Sequence, residues 1–318
     1  MPPNCLEYSL SNLGLNYGLR HTLSNSLQST ILSLNKLSIT QASKPGAVMA
    51  VNPIFHRLEL LTGTQAVKNL NEINVAVFGL GGVGSWAAEA LVRSGVKNIT
   101  LVDNDVICIT NVNRQLQATV KNVGKSKVDE LKMRLEVLNP HVKVSALQKV
   151  YEPDNAHTFD LKQYDYVLDC IDSMSCKMEL IQQTIDAGAT LYSSMGAACK
   201  LDPTQIQVAS IWESEGCGLA RLIRRRLRKA GFDADFQVVF TPEFLPYIEK
   251  NTSVACGTHS CMCPDFTPED GSEHKDWCST KKVINGSAVH ITATFGMFLA
   301  GLVVQDVTAK SQSPFEVL

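Results

Sequence analysis

Short apolar runs alternate along the chain with longer stretches of helical spacing. Val75–Phe78 is apolar without a break and runs into glycines, as expected of a strand buried on both faces. Ser85–Arg93 then reads as a helix, with Trp86, Ala90 and Leu91 as packing candidates. Ile99–Val102 repeats the buried-strand pattern and ends at Asp103. Lys125–Leu138 puts Val128, Leu131, Leu135 and Leu138 on one helical face, and Asn139-Pro140 stops it. Val142–Leu147, Tyr166–Leu168 and Leu191–Ser194 read as further strands, with a helix over Met174–Ala187. This alternation predicts an α/β fold of Rossmann-like type, a mostly parallel sheet flanked by helices. After residue 200 the pattern loosens. It reads there as a basic helix over 217–230, a strand at Gln237–Phe240, a cysteine- and acid-bearing loop over 251–282, and an apolar C-terminal helix from Ala288 to Val304.

Gly79-Leu80-Gly81-Gly82-Val83-Gly84 fits G-x-G-x-x-G between the first strand and the first of these helices. Glycines there let the backbone turn tightly and approach phosphates, and the helix N-terminus offers free N–H groups to an anion. Asp103, at the end of the next strand, lies where a ribose-binding acid belongs. The motif alone does not separate a nicotinamide cofactor from ATP. The residues after it favour ATP: Arg114 follows the second strand, Lys125 and Lys127 open the next helix, and Asp172 lies just past Tyr166–Leu168. Fixed cations stabilise the charge that builds on phosphates during transfer. A carboxylate at a strand end can hold Mg²⁺ against them.

Composition adds three points. Hydrophobic residues make up 45% and charged residues 19% of 318 residues, which excludes wholesale disorder and fibrous repeats. The formal charge of −2 excludes a surface basic throughout, so the run Arg221-Leu-Ile-Arg224-Arg225-Arg226-Leu-Arg228-Lys229 is a local patch. Its cations suit either a solvated helix face or nucleic-acid phosphates. Ten cysteines are spread too widely for a small disulfide scaffold, and a reducing compartment is the default. Cys256, Cys261, Cys263 and Cys278, with His259 and His274, crowd one loop where zinc could bind, although Cys261-Met262-Cys263 departs from paired C-x-x-C spacing. Residues 1–50 form an extension rich in Leu, Ser, Asn and Thr, with Glu7 as its one acid. They read as an unstructured leader or a transit peptide. The expected location is cytoplasmic, with mitochondrial or membrane-associated placement as the alternative. A membrane-associating C-terminal helix is the minority reading beside a buried one.

The stretch from Arg57 to Ser173 resembles the ThiF-type adenylating superfamily, which includes ubiquitin-activating enzymes and the thiamine and molybdopterin adenylyltransferases. The tRNA threonylcarbamoyladenosine dehydratase branch is the nearest in phrasing. The resemblance rests on VAVFGLGGVGSWAAEALVRSG, the segment Asp103–Gln115, VGKSKVDE, LDCIDS, LDPTQIQVA, LARLIRRRLRK and NGSAVHITATFG, and covers residues 53–307 within an expected domain over 51–310. Where the branch reads Asp-Pro before Leu-Ala-Arg, this chain has Cys217-Gly218.

The resemblance implies ATP and Mg²⁺ as cofactors. Gly79, Gly81, Gly82 and Gly84 would cradle the phosphates, Asp103 would hold the ribose, and Asp105 and Asn113 would join the nucleotide site. Asn111, Arg114 and Lys127 would contact phosphates, Asp172 would bind Mg²⁺, and Arg57 would reach into the partner subunit of a homodimer. Arg57, Arg114, Lys127 and Asp172 form the implied catalytic set. Arg221, Arg224, Arg225 and Arg228 would meet tRNA. The implied reaction is ATP-dependent dehydration of N6-threonylcarbamoyladenosine in tRNA to its cyclic form. The alternative is adenylation of the C-terminus of a ubiquitin-like or sulfur-carrier protein. A cysteine desulfurase or sulfur-acceptor system stays open as a partner.

Overall fold

The computed structural model describes residues 52–246 and 285–312. The leader over 1–50 and the cysteine loop with Cys256, Cys261, Cys263 and Cys278 lie outside the described residues. Two short helices, α1 (His56–Thr62) and α2 (Thr64–Glu72), lead into β1 (Asn74–Phe78). There follow α3 (Gly84–Arg93), β2 (Asn98–Val102), α4 (Lys127–Leu138), β3 (Lys143–Leu147), β4 (Tyr166–Asp169), α5 (Met174–Asp186) and β5 (Thr190–Ser194). The segment after residue 200 continues the same sheet, through β6 (Gln207–Ser210), α6 (Gly218–Lys229), β7 (Gln237–Phe240) and α7 (Val289–Ser311).

The sheet has seven strands in the order β3-β2-β1-β4-β5-β7-β6. Every pairing is parallel except that of β6 with β7. Residues of β1 alternate between two cores, because successive side chains of a strand point to opposite faces. Val75 and Val77 pack with Leu91 of α3, Leu131 of α4 and Phe295 of α7. Ala76 and Phe78 pack with Leu180 of α5 and Ile223 of α6. The molecule is therefore a three-layer α/β/α sandwich, and its central strands are covered on both sides.

β1 lies between β2 and β4, so the strand order reverses there. Such a switch point opens a crevice at the carboxyl ends of the strands. α7 lies along α3, which begins at the glycine loop. A side chain at Gly296 would come within 2.5 Å of the Val83 carbonyl oxygen and 2.8 Å of the Ala87 nitrogen, so glycine is what lets the two helices touch. Among the described residues, α7 has the length and apolar composition to cross a membrane. Here Ile291, Phe295, Leu299, Val303 and Val307 are buried in the first core.

Candidate active site

The glycine loop takes its shape from its neighbours. Gly79 has φ +87°, and a Cβ there would lie 2.8 Å from the Cys170 carbonyl oxygen. A Cβ at Gly84 would fall 1.9 Å from the Gly79 carbonyl oxygen. Only glycine meets both demands. Gly82 abuts the Thr292 side chain of α7. Gly81 has nothing within 4 Å of its missing Cβ, so the loop presents open backbone at that point.

Two side chains not singled out from the sequence hold this loop. Ser85 is fully buried; its hydroxyl donates to the Gly81 carbonyl at 2.7 Å and accepts from the Leu116 amide at 3.2 Å. Gln117 donates from Nε2 to the Leu80 carbonyl at 3.0 Å. Trp86, expected to pack, lies against Gly296 of α7 and also donates its indole N–H to the Arg114 carbonyl at 3.0 Å. A serine or glutamine leaves no periodic signal, so neither was legible without the fold.

Asp103 follows β2. One oxygen accepts the Leu80 amide at 2.6 Å, and the other accepts the Asp105 amide at 2.8 Å. The Leu80 bond joins the acid directly to the glycine loop. Lys127, in the first turn of α4, is 2.6 Å from Asp105 Oδ2 and 3.9 Å from Asp103 Oδ1. Burial works against the Lys127 charge, but Asp103 and Asp105 more than offset it, and its pKa stands above the ordinary lysine value. Burial pushes the Asp103 carboxyl up, and Lys127 works against that rise. The helix starts two residues later than its spacing suggests. Ser126 caps it by accepting from the Asp129 amide, and Lys125 turns outward to Glu130 at 3.3 Å. Only one of the two lysines thus faces the acids.

Arg114 donates to the Thr110 carbonyl at 2.8 Å and to Asn113 Oδ1 at 3.0 Å. Asn113 in turn donates to the Ser287 carbonyl at 2.9 Å, which joins this loop to the entry of α7. Asn111 is buried, and its Oδ1 accepts the Cys108 amide at 3.0 Å, closing its own short turn. Asp172 is exposed in the loop between β4 and α5, on the strand that borders β1. The Cys170 thiol beside the glycine loop is pushed up by burial and by the Asp169 charge, so it is not a thiolate nucleophile.

The remaining expected residues lie apart from this cluster. Arg57 is exposed on α1. Phe55, two residues before it, is 4.0 Å from the Cβ position of Gly95, past the C-terminal end of α3. The glycine loop is at the other end of that ten-residue helix, about 15 Å away at ~1.5 Å per residue. Around the Arg57 end, Leu58, Leu61, Ala90, Met297, Ala300 and Val304 line an apolar groove of about 580 Å³. Leu61 in this groove is 80% exposed, and its neighbour Leu60 on α1 is 75% exposed.

On the opposite face, α6 buries Ala220, Ile223 and Leu227 and begins at Gly218 despite the Cys217-Gly218 departure. Arg224 does not project from it as a free cation. Its guanidinium donates to the Ile211 carbonyl at 3.2 Å and to the carbonyl and hydroxyl of Ser214. It lies four positions after Ala220 and three before Leu227 and so shares their inward side, and these bonds tie it into the fold. Arg221, Arg225 and Arg228 are exposed, and Arg228 also lies 5.3 Å above the Trp212 ring. Among the described residues, no group of three or more His, Cys, Asp or Glu side chains could hold a metal ion.

The ThiF family matches this chain over residues 55–308. Among curated relatives, the tRNA threonylcarbamoyladenosine dehydratase of Bacillus subtilis is 44% identical over 189 residues, covering 59% of this chain and 74% of the relative. The enzyme of the same description from Escherichia coli is 34% identical over 262 residues, covering 79% and 92%. A solved structure of E. coli tRNA N6-threonylcarbamoyladenosine dehydratase in complex with ATP superposes with a TM-score of 0.66 at 31% identity, over 81% of this chain and 94% of that one.

Proposed function

The chain belongs to the ThiF family, in its tRNA threonylcarbamoyladenosine dehydratase branch, and on that premise we propose that it dehydrates N6-threonylcarbamoyladenosine in tRNA to its cyclic form at the expense of ATP. The observation that carries this reading is the hydrogen bond from the Leu80 amide to Asp103, with Lys127 beside it. A glycine loop, an acid suited to a ribose and a charged lysine in contact with it support the reading.

ATP would lie with its phosphates on the amides of Gly81–Gly84 and its ribose on Asp103. A carboxylate oxygen of the modified base attacks the α-phosphorus; the O–P bond to pyrophosphate breaks, and pyrophosphate leaves. The acyl group now bears AMP as a leaving group. A heteroatom of the side chain's own carbamoyl group attacks the acyl carbon, loses its proton, and expels AMP. The net change in the nucleoside is loss of one water. Ring closure within one side chain needs positioning more than a further catalyst. No enzyme thioester is required, in keeping with a protonated Cys170. Lys127 and Arg114 would stabilise charge developing on the phosphates. Asp172 suits Mg²⁺, which ordinarily takes one or two carboxylates and completes its shell with phosphate oxygens and water. A cluster of three protein ligands is therefore not needed.

Arg57 fits a role in trans. It sits at the far end of α3 from its own chain's glycine loop, beside an exposed apolar groove that a second copy would cover. We therefore read the assembly as a homodimer with Arg57 of each chain serving the other. On α6, Arg221, Arg225 and Arg228 would meet tRNA phosphates. Digestion and mass measurement of nucleosides, after incubation with ATP, Mg²⁺ and tRNA bearing threonylcarbamoyladenosine, tests the reaction. ATP-dependent loss of one water from that nucleoside is expected. An unchanged mass, with adenylation of a carrier protein instead, sinks the assignment.

A further inference from the structure

We propose that Lys177 is a positioning residue for the magnesium end of the site, acting through Asp169; this rests on Asp172 as the proposed magnesium ligand. Lys177 and Asp169 are each 0% exposed, and Lys177 Nζ lies 2.6 Å from Asp169 Oδ2. The same oxygen accepts the Ser193 hydroxyl of β5 at 2.6 Å. The other oxygen accepts the Ile171 amide at 3.1 Å and so bends the chain as it leaves β4. On the helix side, the Lys177 amide donates to the Ser173 carbonyl at 2.9 Å. The loop of residues 170–173, which carries Asp172, is therefore flanked by a strand end and a helix first turn that a buried ion pair joins. Its first residue after the strand is fastened to the phosphate loop's strand, since the Cys170 amide donates to the Phe78 carbonyl at 2.8 Å and its carbonyl abuts Gly79.

A sealed ion pair contributes little net stability, because desolvating both charges offsets their attraction. What it does supply is direction. Charged hydrogen bonds are shorter and roughly twice as strong as neutral ones, so they fix the turn more tightly than an uncharged pair of the same volume would. The loop that carries Asp172 is thus held by β4, β5 and α5 together.

Titration calorimetry with ATP on the full chain, in EDTA and in excess Mg²⁺, tests this. The quantity read is the tightening of ATP binding by magnesium, with Asp172→Asn as reference. The neutral pair Asp169→Asn/Lys177→Met should keep the wild-type melting temperature to within a few degrees and the same affinity in EDTA. It should lose about tenfold of the magnesium-dependent tightening. Ser193→Ala, which removes one hold and no charge, should lose about threefold, and it decides the matter if the double variant does not fold. Full tightening in the folded double variant, or in Ser193→Ala where only that variant folds, overturns the role of Lys177 while the magnesium assignment stands. Full tightening in Asp172→Asn overturns the assignment and the positioning role together.

Discussion

Two lysine–aspartate pairs sit at strand ends flanking β1. Each has an Nζ–Oδ distance of 2.6 Å. Lys127 after β2 has two carboxylates for one cation, and its nearer partner, Asp105, is 33% exposed. Lys177 has one carboxylate, and both groups are shut away from solvent. The contact distances are the same, so exposure separates their uses. A lysine with a half-open partner can exchange it for an incoming phosphate at modest cost. A sealed one cannot, because either group left alone would be an uncompensated buried charge. On the proposed mechanism the first pair serves chemistry and the second geometry.

The sharpest way to break this comparison is Lys127→Met. Loss of one charged donor to a transition state costs about 10²–10³ in rate, so kcat/KM for dehydration should fall by at least about a hundredfold. The melting temperature should fall modestly, since Asp105 still reaches water, while Asp103, 9% exposed, is left without its cation and takes up a proton more readily. Near-normal turnover in this variant would mean that both lysines are structural.

The contrast also shows what a sequence can display. The glycine loop and Asp103 were legible because backbone demands leave a local mark: Gly79 and Gly84 are glycines for steric reasons that involve a few neighbouring residues. Asp172 was singled out and Asp169 was not, although Asp169 joins β4 to α5 and β5 through Lys177 and Ser193. An acid at the end of an apolar strand and a lysine in a helix each read as solvent-facing until the sheet stacks them together. β6 escaped notice for a related reason. Gln207–Ser210 is a four-residue antiparallel edge strand with only Ser210 buried, so it has no apolar run to announce it. The basic run on α6 was visible as charge, but a one-dimensional run does not say which cation points at Ile211 and Ser214.

That last distinction yields the next test. Replacing Arg221 and Arg225 together with alanine should weaken tRNA binding about tenfold at low salt and flatten its salt dependence, with ATP affinity unchanged. Arg224→Ala should do the opposite. Removing it leaves the Ser214 carbonyl without its guanidinium donor, while Ile211 keeps only the Ser214 hydroxyl, a loss of about 1–3 kcal/mol. Chemical denaturation and filter binding, run on both variants, separate the two effects. Equal tRNA affinity in the Arg221/Arg225 variant would remove α6 from the interface.

The smallest expected effect concerns a third ionic group, on α3. Glu89 is 7% exposed and bonds Arg93 at 2.8 Å and Arg134 of α4 at 2.5 Å, both of which keep much of their surface in water. Burial alone would raise its pKa, but the two guanidiniums outweigh that, and the value in the folded protein lies below the ordinary 4.5. Folding thus binds fewer protons at this carboxyl than the unfolded chain does. Its stabilisation is complete above about pH 4.5 and drains away as pH falls through the lowered folded value. Glu89→Gln should accordingly cost about 1 kcal/mol at pH 7, as expected for partly exposed charged hydrogen bonds. The deficit should shrink steadily as pH falls below 4.5, until variant and wild type unfold together in acid. Urea melts at pH 7, 5 and 3 read this directly. A deficit that stays constant across the three would assign the loss to packing between α3 and α4 and not to the ion pairs.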